Sequence, residues 1–201
     1  SFDFWYTNTK EGENMKKSTM ILLGVVAVIV IIISMLGGSY NSLVEKSENV
    51  DKQLANVDVQ LERRADLIPN LVSTVKGYTS HETEIIDKIT SARENLLKAN
   101  TVTEKSNAND ELTSALNALM VVVENYPDLK SNQNFIQLSD ELAGTENRIA
   151  TSRRDYNDAV TSYNTSIKKF PTNILAGMFG FNKKDYFEVS EGKTDVPKVE
   201  F

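Results

Sequence analysis

Cysteine is absent from the 201 residues of this chain. Disulfides, thiolate zinc sites, iron–sulfur clusters and cysteine nucleophiles are excluded together, and the redox compartment stays undetermined. Histidine is nearly absent as well. His81 stands alone, which removes most imidazole metal sites and any catalytic device built on two imidazoles. His81-Glu82 has the opening of a zinc-protease helix motif, but position 85 is Ile where the second ligand would stand. A solvated or capping histidine is the plainer reading. With four prolines and nine glycines, several at apparent element boundaries, the chain reads as all-helical. A basic excess is also missing. The net charge of −6 argues against nucleic acid or an anionic lipid surface as the main partner. Gly177-Met-Phe-Gly180 is too short and too late in the chain to cradle a phosphate, so no cofactor and no metal ion is expected.

What the chain does have is apolar periodicity. Between Phe135 and Phe170, apolar or small residues recur at Phe135, Leu138, Leu142, Thr145, Ile149, Ser152, Tyr156, Ala159, Tyr163, Ile167 and Phe170. Steps of three and four residues over about five heptads mark one face of a long α-helix, on the order of 50 Å from end to end. Such a helix cannot bury its own stripe, so other segments must supply partners.

Met20–Leu36 is uncharged and apolar except for Gly24 and Ser34. As a helix it reaches roughly 26 Å, close to a hydrocarbon core, and extension through Ser39 reaches roughly 30 Å. The run exceeds a usual signal h-region, so an uncleaved anchor is favoured over a cleaved signal, although Gly37 and Ser39 could flank a cleavage site. Lys16 and Lys17 precede the run. Beyond it, Lys46 and Lys52 are offset by Glu45, Glu48 and Asp51. Positive-inside counting then places the bulk of the chain outside the cytoplasm. Residues 1–14, which include Trp5, have no clear period and precede a plausible start at Met15. They read as a non-native or disordered leader.

A second stripe runs through Val50, Leu54, Val57, Leu61, Ala65, Ile68, Val72 and Val75, keeping phase across Pro69, where a kink or short break is expected. Thr79 or Thr83 could cap a continuation whose face is Ile85, Ile89, Ala92 and Leu96. Residues 100–110 are polar and read as a loop or frayed end. Asn109 or Asp110 would cap the next helix, which carries Leu112, Leu116, Leu119, Val123 and Tyr126 and ends before Pro127. A turn follows, with Asn132 or Asn134 capping the long helix, which Pro171 stops. Residues to 187 form an aromatic coda with one short helix, and 188–201 read as a disordered tail. The expectation is an all-α protein: a leader at 1–14, a membrane anchor at 15–39, an elongated antiparallel bundle of about four helices within 40–187, and the tail.

Charged residues crowd two places: Arg63, Arg64 and Asp66 before Pro69, and Glu146, Arg148 and Arg154 on the long helix. They read either as an interhelical ion-pair network fixing register or as carboxylates tuned for acid–base work. With no nucleophile, metal cluster or phosphate loop beside them, the structural reading is favoured. Arg64 adjoins Ala65 and Arg148 adjoins Ile149, which puts both at the rim of the core. Asn164-Thr-Ser matches a glycosylation sequon but falls on the long helix, and is set aside.

Particular strings go further than periodicity. Glu62-Arg-Arg-Ala-Asp-Leu-Ile-Pro-Asn-Leu-Val72, Val75-Lys-Gly-Tyr78 and His81-Glu82 resemble the first block of the LemA family of bacterial membrane proteins. Glu124-Asn-Tyr-Pro-Asp-Leu-Lys130, Asn134-Phe135, Glu141-Leu142, Glu146-Asn-Arg-Ile-Ala150, Arg154, Tyr156-Asn157, Tyr163-Asn164 and Phe170-Pro171 resemble the rest, in the family's order. One departure is Asn49-Val50, where the family often has a tryptophan. The resemblance implies one membrane span followed by a long helical bundle. It implies no reaction, and its link to membrane metalloproteases and membrane organisation is an association without a mechanism. The leading functional expectation is therefore a non-enzymatic, bilayer-anchored scaffold in the bacterial cell membrane. It would meet lipid through residues 20–38 and present its bundle to other membrane or envelope proteins or to a second copy. The alternatives are an adaptor or sensor for a membrane protease and, less favoured, a membrane-tethered hydrolase.

Overall fold

A computed structural model describes residues 2–79 and 81–188, with side chains from Thr19 onward. Six helices follow in order: α1 Phe2–Lys76, α2 Thr83–Lys98, α3 Val102–Val123, α4 Pro127–Lys130, α5 Gln133–Lys168 and α6 Thr172–Phe179. Among the described residues there is no strand, so the protein is all-α. The backbone is helical from Phe2, through the stretch set apart as a leader. Beyond Glu188 the expected tail lies outside the described residues.

The chain divides into two compact units. One comprises Ser1–Glu45 with Ser166–Asn182, the other Lys46–Thr165 with Lys183–Phe201. The first contains the apolar run, whose side chains are exposed from Met20 to Met35, Leu36 apart. It is the one stretch, among the described residues, long and apolar enough to cross a membrane, and none of it is buried. The same unit holds α6, closed by Gly180 at φ 75°, a left-handed conformation that a side chain would strain.

The second unit holds the bundle core. Val50, Val57, Leu61, Ala65, Ile68 and Val75 of α1 are buried as the stripe predicts, but Leu71 takes the place expected for Val72. Ile85, Ile89, Ala92 and Leu96 of α2, joined by Ile86, and Leu112, Leu116, Leu119 and Val123 of α3 are buried on theirs. On α5 the buried set is Phe135, Leu142, Thr145, Ile149, Tyr156, Ala159, Val160, Tyr163 and Asn164. Phe170, placed on that stripe by its spacing, lies beyond the helix end at Lys168 and is exposed.

The polar stretch after Asn100 is not a loop. Thr101 accepts from the Glu104 N–H (3.2 Å) while Glu104 Oε2 accepts from the Thr101 N–H (3.0 Å), a capping box that starts α3 well before Asn109 or Asp110. Ser106, Ala108 and Asn109 then face inward. The α2 start at Thr83 has Glu82 as its cap residue, with no side-chain cap from Thr79 or Thr83. Tyr126 leaves the helical region ahead of Pro127, which opens α4 rather than a plain turn. Asn132 Oδ1 accepts from the Phe135 N–H at 3.0 Å and caps α5.

Of the kink or short break expected at Pro69, the break does not occur, since α1 passes through it as helix. A proline has no N–H to give the carbonyl four residues back, and that carbonyl belongs to buried Ala65. Arg93 Nε of α2 donates to Ala65 O at 2.8 Å and fills the vacancy. Arg93→Met should therefore destabilise the protein by about 1–3 kcal/mol, the range for stranding a buried polar group. In a Pro69→Ala background the residue-69 N–H satisfies Ala65, and the same substitution should do much less. Urea unfolding of the detergent-solubilised full chain in all four combinations measures this, and equal effects in both backgrounds would refute the link.

Candidate functional site

One residue before Ala65, Arg64 projects into the bundle with 3% of its surface exposed. A guanidinium cannot shed its proton to escape burial, so it needs partners. Its Nη1 lies 2.5 Å from Glu146 Oε2 of α5 and donates to Asn109 Oδ1 of α3 at 2.7 Å. The Thr113 hydroxyl, one turn beyond Asn109, donates to Asn109 O at 2.9 Å and lies 3.4 Å from the same Glu146 oxygen. Burial pulls the Arg64 guanidinium below its ordinary pKa, against the opposing charges of Glu146 and Asp110. Asp110 in turn lies 3.8 Å from Arg153.

Of the six charged residues singled out from the sequence, the structure brings Arg64 and Glu146 together. Arg63 and Arg148 share a shallow cleft with Asp140, Glu141 and Gly144. There the Arg148 guanidinium lies so close over Gly144 that a Cβ would sit 3.3 Å from it. Asp66 and Arg154 are exposed. Among the described residues, none of Arg63, Asp66, Arg148 and Arg154 forms an ion pair. The residues that complete the Arg64 cluster, Asn109 and Thr113, were not among the candidates. Asn109 has the composition of a cap, and only the Thr-x-x-Glu box at 101–104 could have freed it for another role.

Above this cluster lies a cavity of about 370 Å³. Its walls are Leu71, Leu116, Leu119, Met120 and Leu142, and its polar lining is Arg64, Thr113, Asn117, Ser139, Glu146 and Asn147. Glu146 is the one acid in that lining, and it faces a cation instead of a second acid. The arrangement can hold three helices in register and can receive a small apolar group. It lacks the convergent carboxylates that hydrolysis by paired acids requires. Among the described residues, no three His, Asp or Glu side chains are grouped closely enough to hold a metal ion.

A second polar cluster, unforeseen in the sequence, pins the extended segment 183–188. Asn164 Nδ2 donates to Lys184 O (2.8 Å) and Asn164 Oδ1 accepts from the Lys184 N–H (3.0 Å). Asn157 does the same with Phe187, at 3.0 and 2.8 Å. Tyr156 donates to Asp185 O at 2.8 Å. Arg153 donates to Glu188 O at 3.1 Å and lies 4.6 Å over the buried Phe187 ring, and Ser106 also donates to Glu188 O. The sequon asparagine thus has its amide committed within the fold. The available signal was the repeat of Tyr-Asn at 156–157 and 163–164, which puts an amide beside the core face at heptad spacing.

A family model described as the LemA family matches residues 53–201. Similar proteins include Magnetosome protein MamQ 2 of Paramagnetospirillum magneticum, 31% identical over 195 residues, covering 84% of this chain and 71% of that one. Magnetosome protein MamQ of Magnetospirillum gryphiswaldense is 26% identical, covering 88% and 75%. Protein LemA of Metamycoplasma hominis is 28% identical over 155 residues, covering 77% and 71%.

Two measurements test the site. Glu146→Ala strands the buried Arg64, which costs about 3 kcal/mol or more when a pair is fully enclosed. Glu146 is partly open to water, so about 2 kcal/mol is expected. In an Arg64→Met background that loss should largely vanish, and a coupling near zero in urea unfolding would dismiss the pair. The exposed Arg63 and Arg154 should tolerate alanine without a measurable change. The second measurement concerns Tyr156, whose phenol is pushed up to about 12, chiefly by burial and then by Asp185 and Asp51. Its folded pKa lies above the unfolded value of about 10, so its contribution is complete below about pH 10 and is lost as pH rises toward 12. Tyr163 and Tyr126 are raised as well, so ultraviolet titration should show several late phenols, of which the one titrating toward pH 12 disappears in Tyr156→Phe.

Proposed function

The chain belongs to the LemA family, and from that premise we propose that it is a non-enzymatic scaffold anchored in the bacterial cell membrane. In this reading residues 20–38 cross the bilayer, and the bundle stands outside the cytoplasm and engages other membrane proteins or a second copy. The observation that carries the proposal is α1 itself. One helix holds an apolar run of membrane-spanning length with none of it buried, and then the stripe on which the bundle core is built. The cavity supports the non-enzymatic part, because its only lining acid is spent on Arg64. On the bundle surface, Met120 at the cavity mouth and its neighbour Val121 are exposed, at 46% and 70%, and offer an apolar place for a partner side chain.

The side and the partner can be tested together with a membrane-impermeant amine crosslinker added to intact protoplasts. The expected result is a discrete adduct joining the bundle to a membrane protein or to a second copy, weakened by Val121→Glu. Adducts formed only after lysis would reverse the orientation. Failure to form any adduct in either preparation would count against a scaffold.

A further inference from the structure

The first unit carries an apolar surface besides the span. Phe170 is 81% exposed, Met178 72%, Phe179 58% and Ile174 53%. Ile174 and Met178 are four residues apart and share one face of α6, whereas Leu175 and Ala176 are buried. A helix facing only water would carry polar side chains on that outer face.

Its position is fixed by aromatic contacts. The ring of Phe179 lies 4.9 Å from that of Tyr40 and the ring of Phe181 5.9 Å from it, both edge-on. Tyr40 stands on α1 four residues past Leu36, so it lies about 6 Å beyond the end of the apolar run along the helix. The headgroup layer of a leaflet is on the order of 5–7 Å deep. An element held against Tyr40 is therefore held at headgroup depth. Two exposed lysines, Lys168 and Lys169, lie four and three residues before it. Long basic side chains at that level lay their stems on apolar surface and reach phosphate with their heads.

We infer that α6 is a second, in-plane membrane contact. The side chains of Ile174 and Met178, with Phe170 ahead of the helix, enter the interfacial layer of the leaflet at the Tyr40 end of the span, with Lys168 and Lys169 at lipid phosphates. The occupant of this surface is the bilayer that the span already crosses, because Tyr40 ties α6 to the end of that span. The inference rests on residues 20–38 spanning the bilayer, and the test separates the two.

The 201-residue chain lacks cysteine, so single probes can be placed on it. Val30→Cys, Ile174→Cys, Met178→Cys and, as an exposed site in the other unit, Asp87→Cys are labelled with an environment-sensitive nitrobenzoxadiazole probe. They are reconstituted into vesicles of phosphatidylcholine and phosphatidylglycerol. A shallow nitroxide lipid should quench the probes at 174 and 178 about twofold and leave the one at 87 unaffected, while aqueous iodide does the reverse. A deep nitroxide lipid should quench the probe at 30, and its failure would overturn the span itself. With the span established, iodide quenching at 174 and 178 equal to that at 87 would overturn the inference. Protection of both from iodide and nitroxide lipid alike would also overturn it, since that marks cover by protein.

Discussion

The carbonyl of Ala65 loses the donor four residues on to Pro69, and the bundle is bonded around the turn in which it lies. Pro69 creates the vacancy and Arg93 of α2 closes it. The preceding residue, Arg64, reaches α3 through Asn109 and α5 through Glu146. One turn of α1 is thereby linked by directional bonds to each of the long helices of its unit. Apolar stripes alone leave helices free to slide by a turn at modest cost, because one leucine replaces another. Bonds to a particular carbonyl and a particular guanidinium remove that freedom. The proline, which read as an interruption, is part of what sets the register.

This turn also explains what was legible in the sequence and what was not. The stripes at Val50–Val75, Ile85–Leu96, Leu112–Val123 and Phe135–Tyr163 were readable because apolar burial is written locally, at a fixed period. The roles of Arg93, Asn109, Asn157 and Asn164 were not. Each depends on a partner between 20 and 45 residues away, and composition alone marks an asparagine as a cap or a turn. The start of α3 was a different kind of miss. Thr101 and Glu104 stand in capping-box order, but the polarity of the residues that follow suggested a loop. Phe170 shows the opposite failure, where a stripe extrapolated past its helix assigned a surface residue to the core.

The Arg64–Glu146 pair sat in the sequence as one possibility among six charges. Periodicity placed Arg64 beside the core face. It could not say that a cavity would open above the pair, or that its walls would be apolar. That cavity, with one acid committed to one cation, is why the functional reading rests on association instead of turnover. The helix with the apolar run contributes the other half of that reading, because the run and the stripe of the bundle core lie on a single element.

The paired asparagines of α5 act together as a vernier. Asn157 and Asn164 are seven residues apart on a helix, about 10.5 Å. Phe187 and Lys184, which they grip, are three residues apart on an extended chain, about 10 Å. Seven helical steps and three extended steps are thus commensurate, and an antiparallel strand can lie along a helix and be read by amides at every heptad. A deletion of one residue between Lys184 and Phe187 would leave either clamp intact but never both. Length in this short segment is therefore constrained more tightly than the chemistry of its side chains.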